Sequence, residues 1–205
     1  MLSAILHGFI LSIGLILPLG AQNVFIFNQG ANQSKYRYAL PAILTAGLSD
    51  SLLISIAVIG ISIIIMSMPI LQAIIYAIGL IFLLYMAWTI WNEKPSMNNQ
   101  VKAMSPMKQV SFALSVSLLN PHAILDTIGV IGSSAALYNG IEKIAFTTTC
   151  ISVSWLWFFL LAILGKFVGS IDKTGKLLLI INKISSVIII IVALIILQKL
   201  LQLVF

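Results

Sequence analysis

Six apolar runs follow one another along the chain, at about residues 3–27, 38–64, 69–91, 108–131, 142–165 and 177–203. Each reaches or exceeds the roughly 20 residues that carry a helix across a hydrocarbon layer about 30 Å thick. The runs are continuous rather than alternating, so they predict helices and not barrel strands. Only short polar connections separate them, at 28–37, 67–69, 92–108, 138–143 and 166–176. Charged residues make up 8% of the chain, against about 25% in a soluble domain, too few to coat a water-facing surface. Six spans fill the 205 residues, which leaves no room for a soluble domain. The expected fold is an all-α integral membrane protein, one membrane domain over residues 1–205.

The ends of the runs add detail. No basic segment precedes the first run and no small-residue cleavage site follows it, so it is expected to be a span rather than a signal peptide. The one cysteine, Cys150, excludes an internal disulfide and Cys-x-x-Cys chemistry, and it reads as a small apolar filler. The net charge of +6 does not point to nucleic acid, because the basic residues form no compact block. They follow topology instead. Nine of the 11 (Lys35, Arg37, Lys94, Lys102, Lys108, Lys166, Lys173, Lys176 and Lys183) fall on the side of the connections after spans one, three and five. Only Lys143 and Lys199 fall opposite. Positive loops stay in the cytoplasm, which predicts a multi-pass protein of the cytoplasmic membrane with both termini on the other side.

The chain also repeats itself. A shift of 103 positions carries Leu15 onto Leu118, Pro18 onto Pro121 and Asn23 onto Asp126. It brings the first three spans approximately onto the last three. A unit with an odd number of spans must insert its second copy upside down, so the expectation is two inverted three-helix repeats, as in many secondary transporters. Repeat one covers about 1–92, a cytoplasmic connection about 93–107, and repeat two about 108–205.

Polar residues gather where the repeats would meet. Asp50 stands about 12 residues into the second span, roughly 18 Å deep at 1.5 Å per residue. Asp126 lies five residues beyond Pro121, also inside a span. A carboxylate at such depth costs on the order of 3 kcal/mol and is tolerated facing a bundle interior or a hydrated path. Pro18 and Pro121 each remove a backbone donor near mid-span, and Gly20 is expected to loosen the first break further. Broken first and fourth helices would free backbone groups that only protein or water can satisfy. Gln22, Asn23, Asn28 and Gln29 cluster beside the first break; Asn120, His122 and Asp126 cluster beside the second. On a helix His122 and Asp126 share a face. Helix-half N-termini suit a carboxylate and the aspartates suit an ammonium or guanidinium, so the constellation fits an amino acid.

Pro18-Leu19-Gly20-Ala21-Gln22-Asn23, followed by Asn28-Gln29-Gly30, resembles the first-helix signature of the LysE family of amino-acid exporters, in particular its lysine/arginine exporter branch. Ser49-Asp50 and Leu119-Asn120-Pro121-His122 with Asp126 resemble later motifs of that branch. The resemblance covers nearly the whole chain. It implies six hydrophobic segments, amino-acid efflux across the cytoplasmic membrane and dependence on the proton motive force. It assigns no role to Ala21 or His7.

Export of a cationic amino acid works against an inside-negative potential by about 2.3 kcal/mol per charge per 100 mV. Exchange for an inward proton cancels that charge movement, and a buried carboxylate can hold cation and proton in turn. The expected substrate and proton site is therefore Asp50, Asp126, Asn23, Asn120, Gln22 and His122, with Pro18, Gly20 and Pro121 shaping the breaks. Partners are an amino acid, protons and lipid; no nucleic acid is implied, and a second copy of the chain is admissible. No cofactor, resident metal or enzymatic motif is implied. Two other cargoes remain in view. One is a divalent cation held by His122, Asp126 and Asp50, weakened by the two histidines and the lack of a ligand cluster. The other is a neutral amino acid. Trp88 and Trp91 read as interfacial anchors, Trp155 and Trp157 as packing, Lys183 as snorkelling to the cytoplasmic edge, and Gly129, Gly132 and Gly165 as points of close helix approach.

Overall fold

The computed structural model describes residues 1–16, 20–60, 68–92, 104–120, 124, 126–172 and 175–204. Helices α1 (Leu2–Ile16) and α2 (Ala21–Asn32) come from the first apolar run. A 3-10 turn at Tyr36–Ala39 leads into α3 (Leu40–Ile59), and α4 covers Pro69–Asn92. Then come α5 (Pro106–Leu118), a π-helical turn (Asp126–Ile131), a short α6 (Gly132–Ala135), α7 (Gly140–Ile171) and α8 (Lys176–Val204). No strand occurs among the described residues.

Helix ends follow from local chemistry. Proline sits in the first turn of α3, α4 and α5, where its missing N–H removes no helical bond. Gly60 closes α3 with φ of 100°, a left-handed conformation that glycine adopts without a Cβ clash. Before α8, the Asp172 carboxylate accepts the Leu178 backbone N–H at 2.8 Å, placing an acid at the positive end of that helix.

Among the described residues, four helices are long and apolar enough to cross a bilayer: Tyr36–Ile59, Ala73–Asn92, Gly140–Ile171 and Lys176–Leu203. Helices α1 and α2, whose axes differ by 79°, make a fifth span if counted as one. The broken first helix is thus present. The fourth apolar run arrives in pieces, as α5 and the π turn. Pro18, Pro121 and His122 lie outside the described residues.

The exteriors are apolar. Leu44, Leu48 and Leu52 line one exposed stripe of α3, and Leu156, Leu160, Ile163 and Phe167 another on α7. The polar helix is the one hidden. Nine residues of α2 are buried, including Gln22, Asn23, Asn28 and Gln29. Such side chains reside in a bilayer only when protein surrounds them.

Helix α7 does most of the surrounding. At 32 residues it is about 48 Å long and packs against both halves of the broken helix. Ala4, Gly8 and Ser12 are the buried stripe of α1, and Gly8 lies against the Phe146 backbone. Along α2 the approach is closer still. A Cβ on Gly30 would overlap the Ala162 carbonyl, one on Gly165 the Phe27 carbonyl, and one on Gly169 the Ala31 backbone. Gly165 therefore does permit close approach. Gly129 does not, because a Cβ there would meet nothing within 4 Å.

Helix α3 packs on α5, the π turn and α7, while α4 pairs with α8 through Leu83, Met86, Ile90, Ile189 and Ile196. The Ser186 hydroxyl donates to the Ala87 carbonyl across that last pair, at 2.7 Å. Lys183 extends along α8 to the end of α4, where its ammonium donates to the Trp91 carbonyl at 2.7 Å and lies 3.7 Å from the Trp91 ring centroid. It therefore caps a helix end rather than pairing with an aspartate.

Replacing Gly165 with Val is expected to cost at least about 2 kcal/mol by overpacking against backbone. Gly14→Ala, where a Cβ meets nothing within 4 Å, should be neutral or slightly stabilising. Thermal melting of the two variants in detergent checks this: a Gly165→Val protein as stable as wild type would contradict the close packing.

Candidate functional site

The break between α1 and α2 opens on a cavity of about 140 Å³, room for roughly ten waters. Helix α1 contributes Ser12, α2 contributes Gly20, Gln22 and Asn23, and α3 contributes Asp50. Asn120 follows α5, Thr127 comes from the π turn, and Ser154 and Phe158 come from α7. The α4 and α8 wall is aliphatic, with Leu83, Ile188, Ile189 and Val192.

Asp50 is the one ionisable group among the described lining residues. It is half-buried, and it is held from two sides. The Gln22 side-chain amide donates to Asp50 Oδ1 at 3.0 Å, and the Ser154 hydroxyl provides a second hydrogen bond. Both donors favour the charged carboxylate and fix its direction. No lysine, arginine or histidine stands among those lining residues. The cavity thus offers an oriented acid whose charge a cationic ligand can balance.

Asn23 has a second duty. Its Nδ2 donates to the Ile16 carbonyl at 2.7 Å, satisfying an acceptor at the end of α1 that the break sets free. Gly20 needs a different account from the one expected. Its φ of −74° and ψ of 173° are open to any residue, so glycine is not required there for backbone freedom.

Of the sequence-derived site residues, Asp50, Gln22, Asn23, Asn120 and Gly20 converge on this one cavity. Asp126 opens the π turn, a helical irregularity often found at functional sites. Asn28 and Gln29 stand elsewhere: Asn28 Nδ2 donates to Asn182 Oδ1 at 2.9 Å, and Gln33 Nε2 donates to Gln29 Oε1 at 3.3 Å. They join α2 to its surroundings below the cavity. Sequence reasoning missed Ser12, Thr127 and Ser154. On α7 the hydroxyls of Thr147, Thr149 and Ser152 each bond the carbonyl four residues back, and nothing in the sequence sets Ser154 apart from them.

Membrane-length helices wrapped round a polar, acid-bearing cavity define a multi-pass membrane protein with a small-molecule site at its centre. The chain belongs to the LysE family: the profile described as LysE type translocator matches residues 13–199. YisU of Bacillus subtilis (strain 168), described as a candidate amino-acid transporter, is 52% identical over 186 residues, covering 90% of this chain and 84% of that protein. The arginine exporter protein ArgO of Salmonella paratyphi A (strain ATCC 9150 / SARB42) is 36% identical over 193 residues, covering 92% of this chain and 90% of ArgO. ArgO of Salmonella typhimurium (strain LT2) matches to the same extent. No solved structure matches. The family and these relatives are transporters, not enzymes.

Gln22→Leu and Ser154→Ala are each expected to lower the transport rate about tenfold, the effect of one hydrogen bond to a charged group. Initial rates in proteoliposomes, compared at equal protein content, test this. Wild-type rates in both variants would show that Asp50 needs neither donor.

Proposed function

We propose that this transporter exports amino acids from the cytoplasm, with arginine and lysine as preferred cargo, in exchange for protons. The observation that carries the reading is Asp50: an oriented acid on an otherwise uncharged cavity wall, among the described residues, with no protein cation lining that wall to neutralise it. A guanidinium or ammonium group supplies the missing charge. The names of the relatives agree in kind, YisU as an amino-acid transporter and ArgO as an arginine exporter. Proton exchange follows from the energetics of moving a cation outward against the membrane potential. Asp126, with His122 beside it in sequence, is the second candidate carrier, while Asn120, Asn23 and Gln22 complete the polar wall.

The proposed architecture is six spans in two inverted repeats, about 1–92 and 108–205, joined by a cytoplasmic connection. The contacts support it. Exchanging the halves maps α1 to α5, α2 to the π turn with α6, α3 to α7, and α4 to α8. Under that exchange the α1–α7 and α2–α7 contacts become α5–α3 contacts and contacts of the π turn and α6 with α3, all of which occur. The α3–α7 and α4–α8 pairs map onto themselves. Pro18 and Pro121 would then produce equivalent breaks. The basic connections face the cytoplasm of a cytoplasmic-membrane protein, and both termini face outward.

Asp50→Asn and Asp126→Asn are each expected to abolish arginine efflux from cells preloaded with an arginine-containing dipeptide. Normal efflux in both variants would remove the exchange mechanism. Topology is checked separately: on a Cys150→Ser background, a cysteine at Lys35 should react only with reagent admitted to the cytoplasm, and one at Leu137 only with reagent outside. The opposite labelling would invert the orientation.

A further inference from the structure

The wall of the cavity facing Asp50 is built of hydrogen-bond donors, and three observations meet there. The first is the start of α2. The N–H groups of Ala21 and Gln22 have no carbonyl four residues back within their helix. The N-cap residue Gly20 brings no side chain and no side-chain cap bond, and residues Gly20 to Asn23 line the cavity. At the far end of the same helix the Lys166 ammonium donates to the carbonyls of Gln33 at 2.6 Å and Ser34 at 3.0 Å. The negative pole of α2 is therefore compensated by a full positive charge, while its positive pole opens on the cavity without one.

The second observation is Ser12. This residue is 4% exposed, lines the same cavity from α1, and its hydroxyl has no nitrogen or oxygen partner among the described residues. A buried hydroxyl left without such a partner is costly unless something enters to meet it. The third is Gly20 itself. Neither its backbone angles nor its neighbours call for glycine, since a Cβ there would meet nothing within 4 Å among the described residues. What the missing side chain leaves is access to the first turn of α2.

Amide N–H groups, a hydroxyl and a helix's positive end together suit an anion, and one small enough to reach past Gly20. We infer that this wall is a carboxylate subsite, in which the first turn of α2 and the Ser12 hydroxyl hold the carboxylate of the cargo while Asp50 holds a cationic group. The assignment rests on the amino-acid reading above and deepens it. Gln22 ties the two subsites together: its backbone belongs to the first turn of α2 and its side chain holds Asp50. The anion and cation subsites are thus one side chain apart, a spacing suited to the opposite charges of a single amino acid. A cation without a carboxylate would satisfy Asp50 and leave the donors of α2 and Ser12 unmet. The cargo class narrows to free amino acids, and excludes their amides and the decarboxylated amines.

Counterflow in proteoliposomes separates these cases. Vesicles carrying the full-length protein are preloaded with arginine, argininamide or agmatine and then given labelled arginine. Arginine alone is expected to drive accumulation. Ser12→Ala and Gly20→Val should each raise the arginine concentration for half-maximal rate about tenfold, the loss of one hydrogen bond to a charged group. The melting temperature of Ser12→Ala should stay at the wild-type value. Argininamide or agmatine driving counterflow as well as arginine would overturn the subsite while leaving cation export intact. Wild-type half-saturation in both variants would overturn it too. The same comparison of acid with amide is run for leucine and threonine, so the subsite is judged even if arginine is not carried. A protein that moves none of the three acids would lose both readings.

Discussion

A helix bearing Gln22, Asn23, Asn28 and Gln29 cannot face hydrocarbon, and the rest of the bundle is arranged around that constraint. The chain meets it by making protein the solvent of α2. Helix α7 lies along it at backbone contact, Asn182 of α8 reaches Asn28, and Lys166 covers the carbonyls at its end. The apolar side chains that in a soluble protein would fill a core are turned outward, on the stripes of α3 and α7. Polarity inside and oil outside is the expected inversion for a chain whose surroundings are lipid.

The same constraint explains why the cavity forms at the break. Ending α1 at Ile16 and starting α2 at Ala21 leaves an orphan acceptor and orphan donors at one level. Asn23 satisfies one of the acceptors, at Ile16. The donors face the space in which Asp50 also stands. A break is thus less a defect in a span than a way to expose backbone polarity in the middle of a membrane without exposing it to lipid. Side chains then need only add the one charge that backbone cannot supply, and Asp50, aimed by Gln22 and Ser154, supplies it.

Much of this was legible beforehand. The apolar runs located the long helices to within a few residues, except that α7 continues to Ile171, about six residues past its expected end, because its C-terminal half has α2 to cover. The depth of Asp50 and the prolines flanked by amides marked the cavity, since a polar group inside an apolar run has few physical justifications. What sequence did not disclose was partnership. Ser154 looks like the other hydroxyls of α7 until Asp50 is beside it. Gly129 looked like a packing glycine and faces open space, whereas Gly30, Gly165 and Gly169 are the ones pressed on backbone. Trp155 was expected to pack, and it does, over Gly47; its indole N–H also donates to Ser51 at 3.0 Å. Such distinctions depend on which faces meet, and a single chain's composition does not encode the pairing of helices far apart in sequence.

The fit of α2 into α7 limits how the molecule can change shape. Where hydrogens alone separate two backbones, a slip of one helical turn, about 5.4 Å, would bring side chains into spaces that hold none. These two helices are therefore expected to travel as one rigid strut, and whatever uncovers the cavity to one side and then the other must rotate about that strut instead of shearing along it.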